Sequence, residues 1–241
     1  MARKTLGDRL VHALWYLASG VLWVTAAQYE ALDHNWLVAF VVISVVQFVV
    51  IVIHELGHAW AAWRCGARVH AICAVPFIWS ARTRRVRFEP RMPARDIGGY
   101  VSYAFAEGRG STRADMAISA AGPLANFASA AAVAAISGLL AMMPLAAGPA
   151  ARPGPPPMVA VEAGTPPASA KPARVPSEEE LGAFLARHQA RQQAKAWAQW
   201  GEALSGLFVT LSVILGLLNL VPHRGSDGAE ILAGWRRLRR R

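Results

Sequence analysis

The chain has 241 residues, of which 54% are hydrophobic and only 17% charged, against about 25% charged in an ordinary soluble domain. The apolar residues fall in long blocks rather than at helix or strand spacing, which excludes a simple soluble globule. The formal net charge of +10 does not mark a nucleic-acid partner, because the basic residues cluster at the ends of the apolar blocks instead of forming one face.

Four blocks are long enough to cross a bilayer, which takes about 20 residues: Leu10–Gln28, Trp36–Trp63, Asp115–Met143 and Ala203–Val221. The first has a basic start (Arg3, Lys4, Arg9) and small residues at Thr25-Ala26-Ala27, as a signal peptide would. Its apolar run is longer than most signal cores, so it is read as a retained helix. The third is rich in Ala and Gly and needs shielding by its neighbours. The fold class expected is an all-α polytopic membrane protein, with about four transmembrane helices and a small membrane-surface β-hairpin between the second and third. Four segments follow: 1–35, the first helix and a short outer loop; 36–147, a core of two spans and the hairpin; 148–202, a linker and exposed helix on the outer side; and 203–241, the last span and a basic tail.

Between the second and third spans, Arg68–Val75 and Ala81–Phe88 read as the two strands of the hairpin, with Phe77, Ile78 and Trp79 suited to a membrane interface. Asp96–Tyr103 follows, and its Gly98-Gly99 pair suggests close approach of another backbone. Gly148–Pro176 holds nine of the fifteen prolines and reads as a polyproline-like linker. Ser177 with Glu180 forms a capping-box pattern that starts an exposed helix leading into the last span. Three Lys/Arg residues precede the first block, ten lie in Arg64–Arg113 and six follow Pro222, while Tyr29–Asn35 has none. By the positive-inside rule, both termini and Arg64–Arg113 are cytoplasmic, in a multi-pass protein of the cell (inner) membrane. The basic cytoplasmic side, including the tail Trp235–Arg241, suits anionic lipids. Cys65 and Cys73 fit no zinc knuckle and are expected as reduced thiols on the cytoplasmic side.

His54-Glu55-Leu56-Gly57-His58 stands at the end of the uncharged run Trp36–Ile53. On a helix, HExxH puts two imidazoles at i and i+4 on one face, with a carboxylate beside them, the arrangement that holds Zn²⁺ and keeps a general base near its water. Charged and titratable groups are costly inside a span and usually functional. A catalytic zinc site takes a third protein ligand and leaves one position open. The second and fourth spans both run outward to inward, so Asp227, just past the fourth, lies on the same side as His54 and His58. His223 is also near, but reads as a surface histidine at a helix end.

Asn219-Leu-Val-Pro222 with Asp227-Gly228 resembles the NxxP…DG motif of the site-2 protease family of intramembrane zinc metalloproteases, and HELGH resembles that family's HExGH signature. Gly122-Pro123-Leu124-Ala125-Asn126 resembles its GPxxN motif, and Gly98-Gly99-Tyr100-Val101 its GGYV segment. The resemblance covers roughly Trp36–Arg241, without the linker. It implies one Zn²⁺ per chain on His54, His58 and Asp227, Glu55 as the catalytic base, and substrate held by Asn126, Asn219, Gly98, Gly99 and Tyr100. The partner it implies is a membrane protein with a transmembrane helix. For Asn126 and Asn219, a plain helix-to-helix hydrogen bond is the alternative. Residues 223–226 are more polar than the family's usual spacer. A zinc-binding membrane protein that senses or chaperones without cutting is the main alternative function; it has no need of Glu55. A metal transporter would need polar groups across the membrane, which the outer halves of the spans lack.

Overall fold

The computed structural model describes residues 20, 24, 35–89, 98–107, 110–143, 177–223 and 225–240. The expected first span, Leu10–Gln28, lies outside the described residues apart from Gly20 and Val24, and the linker Gly148–Pro176 lies wholly outside them. The described elements are α1 (Trp36–Arg64), β1 (Arg68–Ala74), β2 (Phe77–Ser80), β3 (Arg85–Phe88), β4 (Gly99–Ala104), α2 (Thr112–Met142), α3 (Glu178–Leu220) and α4 (Asp227–Arg239). Among the described residues, three helices are long and apolar enough to cross a membrane: α1, α2 and α3.

Asn35 starts α1 by accepting from the backbone N–H groups of Leu37 and Val38. With 29 residues, α1 is about 43 Å long at 1.5 Å per residue, more than the ~30 Å of hydrocarbon it has to cross. Its buried stripe Ala39, Ile43, Val46 and Val50 meets Ala203, Leu207 and Leu211 of α3. Continued in the same steps of four and three, that stripe lands on His54, Gly57 and Ala61, all buried. Helical periodicity therefore carries the first histidine into the interior. Phe40, Val41, Val45 and Val49 on the other side are exposed, as a lipid-facing surface would be.

α2 crosses α1 where side chains are smallest. A Cβ added to Gly57 would stand 2.6 Å from the Ala121 carbonyl oxygen and 2.7 Å from the Ala125 methyl. Gly216 of α3 likewise accommodates the Phe127 ring of α2, whose edge would lie 2.7 Å from an added Cβ. Without a hydrophobic drive between helices in lipid, such close backbone approach is what holds spans together. The exposed helix expected after Ser177 and the last span are one helix: α3 runs 43 residues from an intact capping box, in which Ser177 and Glu180 bond each other's backbone. Its first half, up to about residue 199, is exposed.

The small sheet differs from the expected hairpin. It has four antiparallel strands in the order β3-β2-β1-β4. Residues Phe77–Ser80, read as a connection, form a strand that pairs with β1 on one side (Ala74↔Phe77 to Ala71↔Ser80) and β3 on the other. Pro76 ends the first strand as expected, but the chain reverses there at once, and four residues are too short a run to show alternation. The sheet also does not rest on the end of α1. Phe77 packs edge-on against Phe48 with ring centroids 5.7 Å apart, and Phe48 precedes His54 by about 9 Å of helix. The β1–β2 turn thus reaches alongside α1 to a level beyond the HExxH turn. Cys65 and Cys73 are free thiols, and burial, with the Glu55 and Glu89 carboxylates adding to it, pushes the Cys73 thiol up.

The Gly57 crossing gives a direct check. Gly57→Val should destabilise the protein by about 1–3 kcal/mol through overpacking against the α2 backbone, whereas Gly138→Ala, where an added methyl meets nothing within 4 Å, should be neutral or stabilising by up to about 1 kcal/mol. Thermal unfolding in detergent measures both.

Candidate metal centre

Three side chains from two elements far apart in sequence meet beside α2. His54 and His58, one turn apart on α1, direct their Nε2 atoms to a common point, 3.0 Å from each other. Asp227 brings Oδ2 to 3.1 Å from His54 Nε2 and Oδ1 to 3.3 Å from His58 Nε2. Ligand atoms from all three lie within 4.8 Å of one another. In a tetrahedral site with bonds of about 2.0–2.1 Å, neighbouring ligand atoms stand about 3.3 Å apart. Two imidazole nitrogens and a carboxylate, whose two oxygens each face one of the rings, thus have the spacing and chemistry of a zinc site with three protein ligands. The expected ligands are brought together as a set. Glu55 is buried next to them, and His223 is not a member: its Nδ1 is 2.9 Å from the Val221 carbonyl.

Local structure explains how each ligand is aimed. His58 Nδ1 donates to the Ile118 carbonyl of α2 at 2.6 Å, which keeps the proton on Nδ1 and the Nε2 lone pair toward the metal position. Pro123 lies five residues further along; it has no N–H for the Ser119 carbonyl and crowds it. Gly122, between them, faces the histidines so closely that a Cβ would run into His58 Nε2 and stand 2.7 Å from His54 Nε2. Asp227 is the first residue of α4, where the helix N-terminus favours a carboxylate. Burial works to raise its carboxyl, but the imidazoles of His54 and His58 beside it outweigh this and hold it below the usual range. Ser226 sets its position: the hydroxyl accepts from the Ala229 and His223 N–H groups and is 2.8 Å from the Val221 carbonyl. Gly228 lets α4 press against the Leu220 backbone, where a Cβ would collide with the carbonyl.

The remaining expected residues surround this triangle. Asn219 Nδ2 is 3.3 Å from His54 Nε2, on the side of the metal position. Asn126 Nδ2 is 3.3 Å from His54 Nδ1, on the other edge of the ring. Gly98 and Gly99 bring the start of β4 against α1: a Cβ on Gly98 would lie 3.3 Å from Ile51 Cδ1, and one on Gly99 2.5 Å from Glu55 Oε1. Gly98 also has φ +130, a conformation that favours glycine. Tyr100 pairs with Cys73 of β1. β4 is an edge strand, with its other side unpaired among the described residues.

Sequence reasoning did not single out Ile118 or Ser226, and gave Gly122 no role. Ile118 acts through its carbonyl and leaves no side-chain signal. Ser226 was legible as a serine directly before an Asp-Gly helix start.

The family model for peptidase family M50 matches residues 42–241. The chain belongs to peptidase family M50. This is the site-2 protease family that the motifs resemble, and membership implies a metallopeptidase; the family's enzymes are zinc metallopeptidases of membranes, in keeping with the His54, His58 and Asp227 group and the three apolar helices. Comparison with curated proteins and with solved structures found no match.

Two substitutions test how this M50 protein aims its ligands. Ser226→Ala removes the cap of α4 and should cost about 0.5–2 kcal/mol in thermal stability, with weaker metal retention through displaced Asp227. Gly122→Ala places a methyl against both imidazoles and should lower zinc affinity by about 10–100-fold. Zinc content after dialysis against a chelator series reads both.

Proposed function

We propose that the protein is a zinc endopeptidase that hydrolyses peptide bonds within or beside the transmembrane helices of membrane-protein substrates, as in regulated intramembrane proteolysis. The observation that carries this reading is the meeting of His54, His58 and Asp227, with Glu55 buried beside them under the start of a strand edge unpaired among the described residues. The ion, when bound, supplies Lewis acidity: it makes water acidic enough to ionise near pH 7 and polarises the scissile carbonyl. Glu55 takes the proton of the attacking water and passes it to the leaving amine. Asn219, whose amide lies on the Nε2 side of His54, holds the substrate carbonyl or donates to the oxygen that gains charge.

A substrate helix hides its peptide bonds in i→i−4 hydrogen bonds and must unwind before attack. The open edge of β4, with Gly98, Gly99 and Tyr100 at its start, offers backbone partners to the unwound stretch by strand addition. Gly99 matters because it lets that added strand run past Glu55 without a side chain between them. The charge distribution supports a multi-pass protein of the cell (inner) membrane with both termini cytoplasmic and the site near the cytoplasmic face. On α4, the Arg239 guanidinium stacks 3.7 Å over the Trp235 ring, and with Arg236 and Arg237 it suits contact with anionic lipid headgroups.

Glu55→Gln separates a protease from a zinc-binding protein that does not cut. The variant should keep one Zn²⁺ per chain and lose about 10²–10⁴-fold in turnover of a reconstituted membrane substrate; cleavage at the wild-type rate overturns the reading. Wild-type enzyme should also cut a substrate helix containing Gly or Pro faster than one built only of Leu and Ala, since the latter resists unwinding. Equal rates would remove the strand-addition step.

A further inference from the structure

The two histidines face the same demand from opposite ends of one helix face. Ile118, Gly122 and Asn126 stand four residues apart on α2, against α1. Ile118 meets Nδ1 of His58, and Asn126 meets Nδ1 of His54, while Gly122 leaves room for both rings between them. For His54 to offer its Nε2 lone pair to a metal, its proton must be on Nδ1 and needs an acceptor. Asn126 stands there fully buried, with Nδ2 3.3 Å from Nδ1 and Oδ1 without a hydrogen-bond partner. In that orientation the amide donates to Nδ1 and forces the ring proton to Nε2, into the metal position. The oxygen and nitrogen of a carboxamide have nearly the same shape, so half a turn about the last side-chain torsion reverses the sense of the bond without repacking. The turn exchanges which amide atom lacks a partner, so the imidazole decides between the two orientations. The ring edges also separate the two asparagines: Asn219 lies on the Nε2 side and Asn126 behind the ring, away from any substrate at the open position.

We infer that Asn126 accepts a hydrogen bond from His54 Nδ1–H through its Oδ1 and thereby holds His54 in its ligating tautomer. It is a positioning residue for the metal centre, not a contact for substrate. The inference rests on the zinc reading above and adds a role that the reading does not require.

Asparagine to aspartate is the informative change, because it keeps the acceptor and removes the donor. The full-length wild-type protein, Asn126→Asp and Asn126→Leu, each stripped of metal in detergent, are titrated with Zn²⁺ against a chromophoric chelator, and their Co²⁺ absorption spectra are compared. Asn126→Leu should bind Zn²⁺ about 10–100-fold more weakly than wild type. Asn126→Asp should bind within a few-fold of wild type or more tightly, with a tetrahedral Co²⁺ spectrum. Asn126→Leu binding like wild type, or Asn126→Asp falling as far as Asn126→Leu, overturns the inference. Should Asn126→Leu fail to fold, Asn126→Asp alone decides: retained affinity supports the assignment and a loss of tenfold or more overturns it. A wild-type protein that takes up no Zn²⁺ removes the zinc reading itself, an outcome distinct from a difference among the variants.

Discussion

A carboxylate held against two imidazoles, 3.1 and 3.3 Å away and largely out of water, governs this structure. Polar groups at such a depth cost several kcal/mol each unless they find partners, and these three find one another only if α1, α2 and α4 are fixed together. The long-range packing serves that end. The stripe from Ala39 to Val50 ties α1 to α3, the Gly57 crossing ties α1 to α2, and Gly228 sets α4 against the end of α3. Each of these contacts is made by small or apolar residues, and two of them, Gly57 and Gly228, adjoin the ligands His58 and Asp227 in the chain.

α2 contributes no ligand, yet it aims both histidines. A helix repeats its face about every four residues, so Ile118, Gly122 and Asn126 form a straight row along it. The row gives a carbonyl, a gap and a carboxamide, matching the spacing of two histidines one turn apart on the facing helix.

Much of the site was legible in the amino-acid sequence because its chemistry is rare in an apolar context. Two histidines and Glu55 stand out at the end of a run with no charge, and charge counting placed Asp227 on the same side as them, in keeping with their meeting in the fold. The GGY segment was readable as a close approach, since glycines in a strand leave space for a neighbour. Three features were not readable. The Ile118 carbonyl is backbone and carries no residue signature. The Phe77–Ser80 strand is too short for alternation to appear, so it passed for a connection. The depth of the sheet depends on a contact between Phe77 and Phe48, residues 29 positions apart whose meeting no local pattern predicts. The capping box at Ser177 and Glu180 shows the opposite case: a local rule, locally satisfied, marked the start of a 43-residue helix.

The side of β4 that is unpaired among the described residues has one more implication. Backbone amides and carbonyls without partners cannot face lipid tails, so on the proposed function a strand edge beside the HExxH turn would need water along it. The proposed hydrolysis would consume a water molecule at each turnover, in surroundings that otherwise exclude it. On that reading the edge that would receive a substrate's backbone would also be the lane by which the solvent reactant reaches Glu55, and an occupied edge would close that lane behind the molecule it admitted.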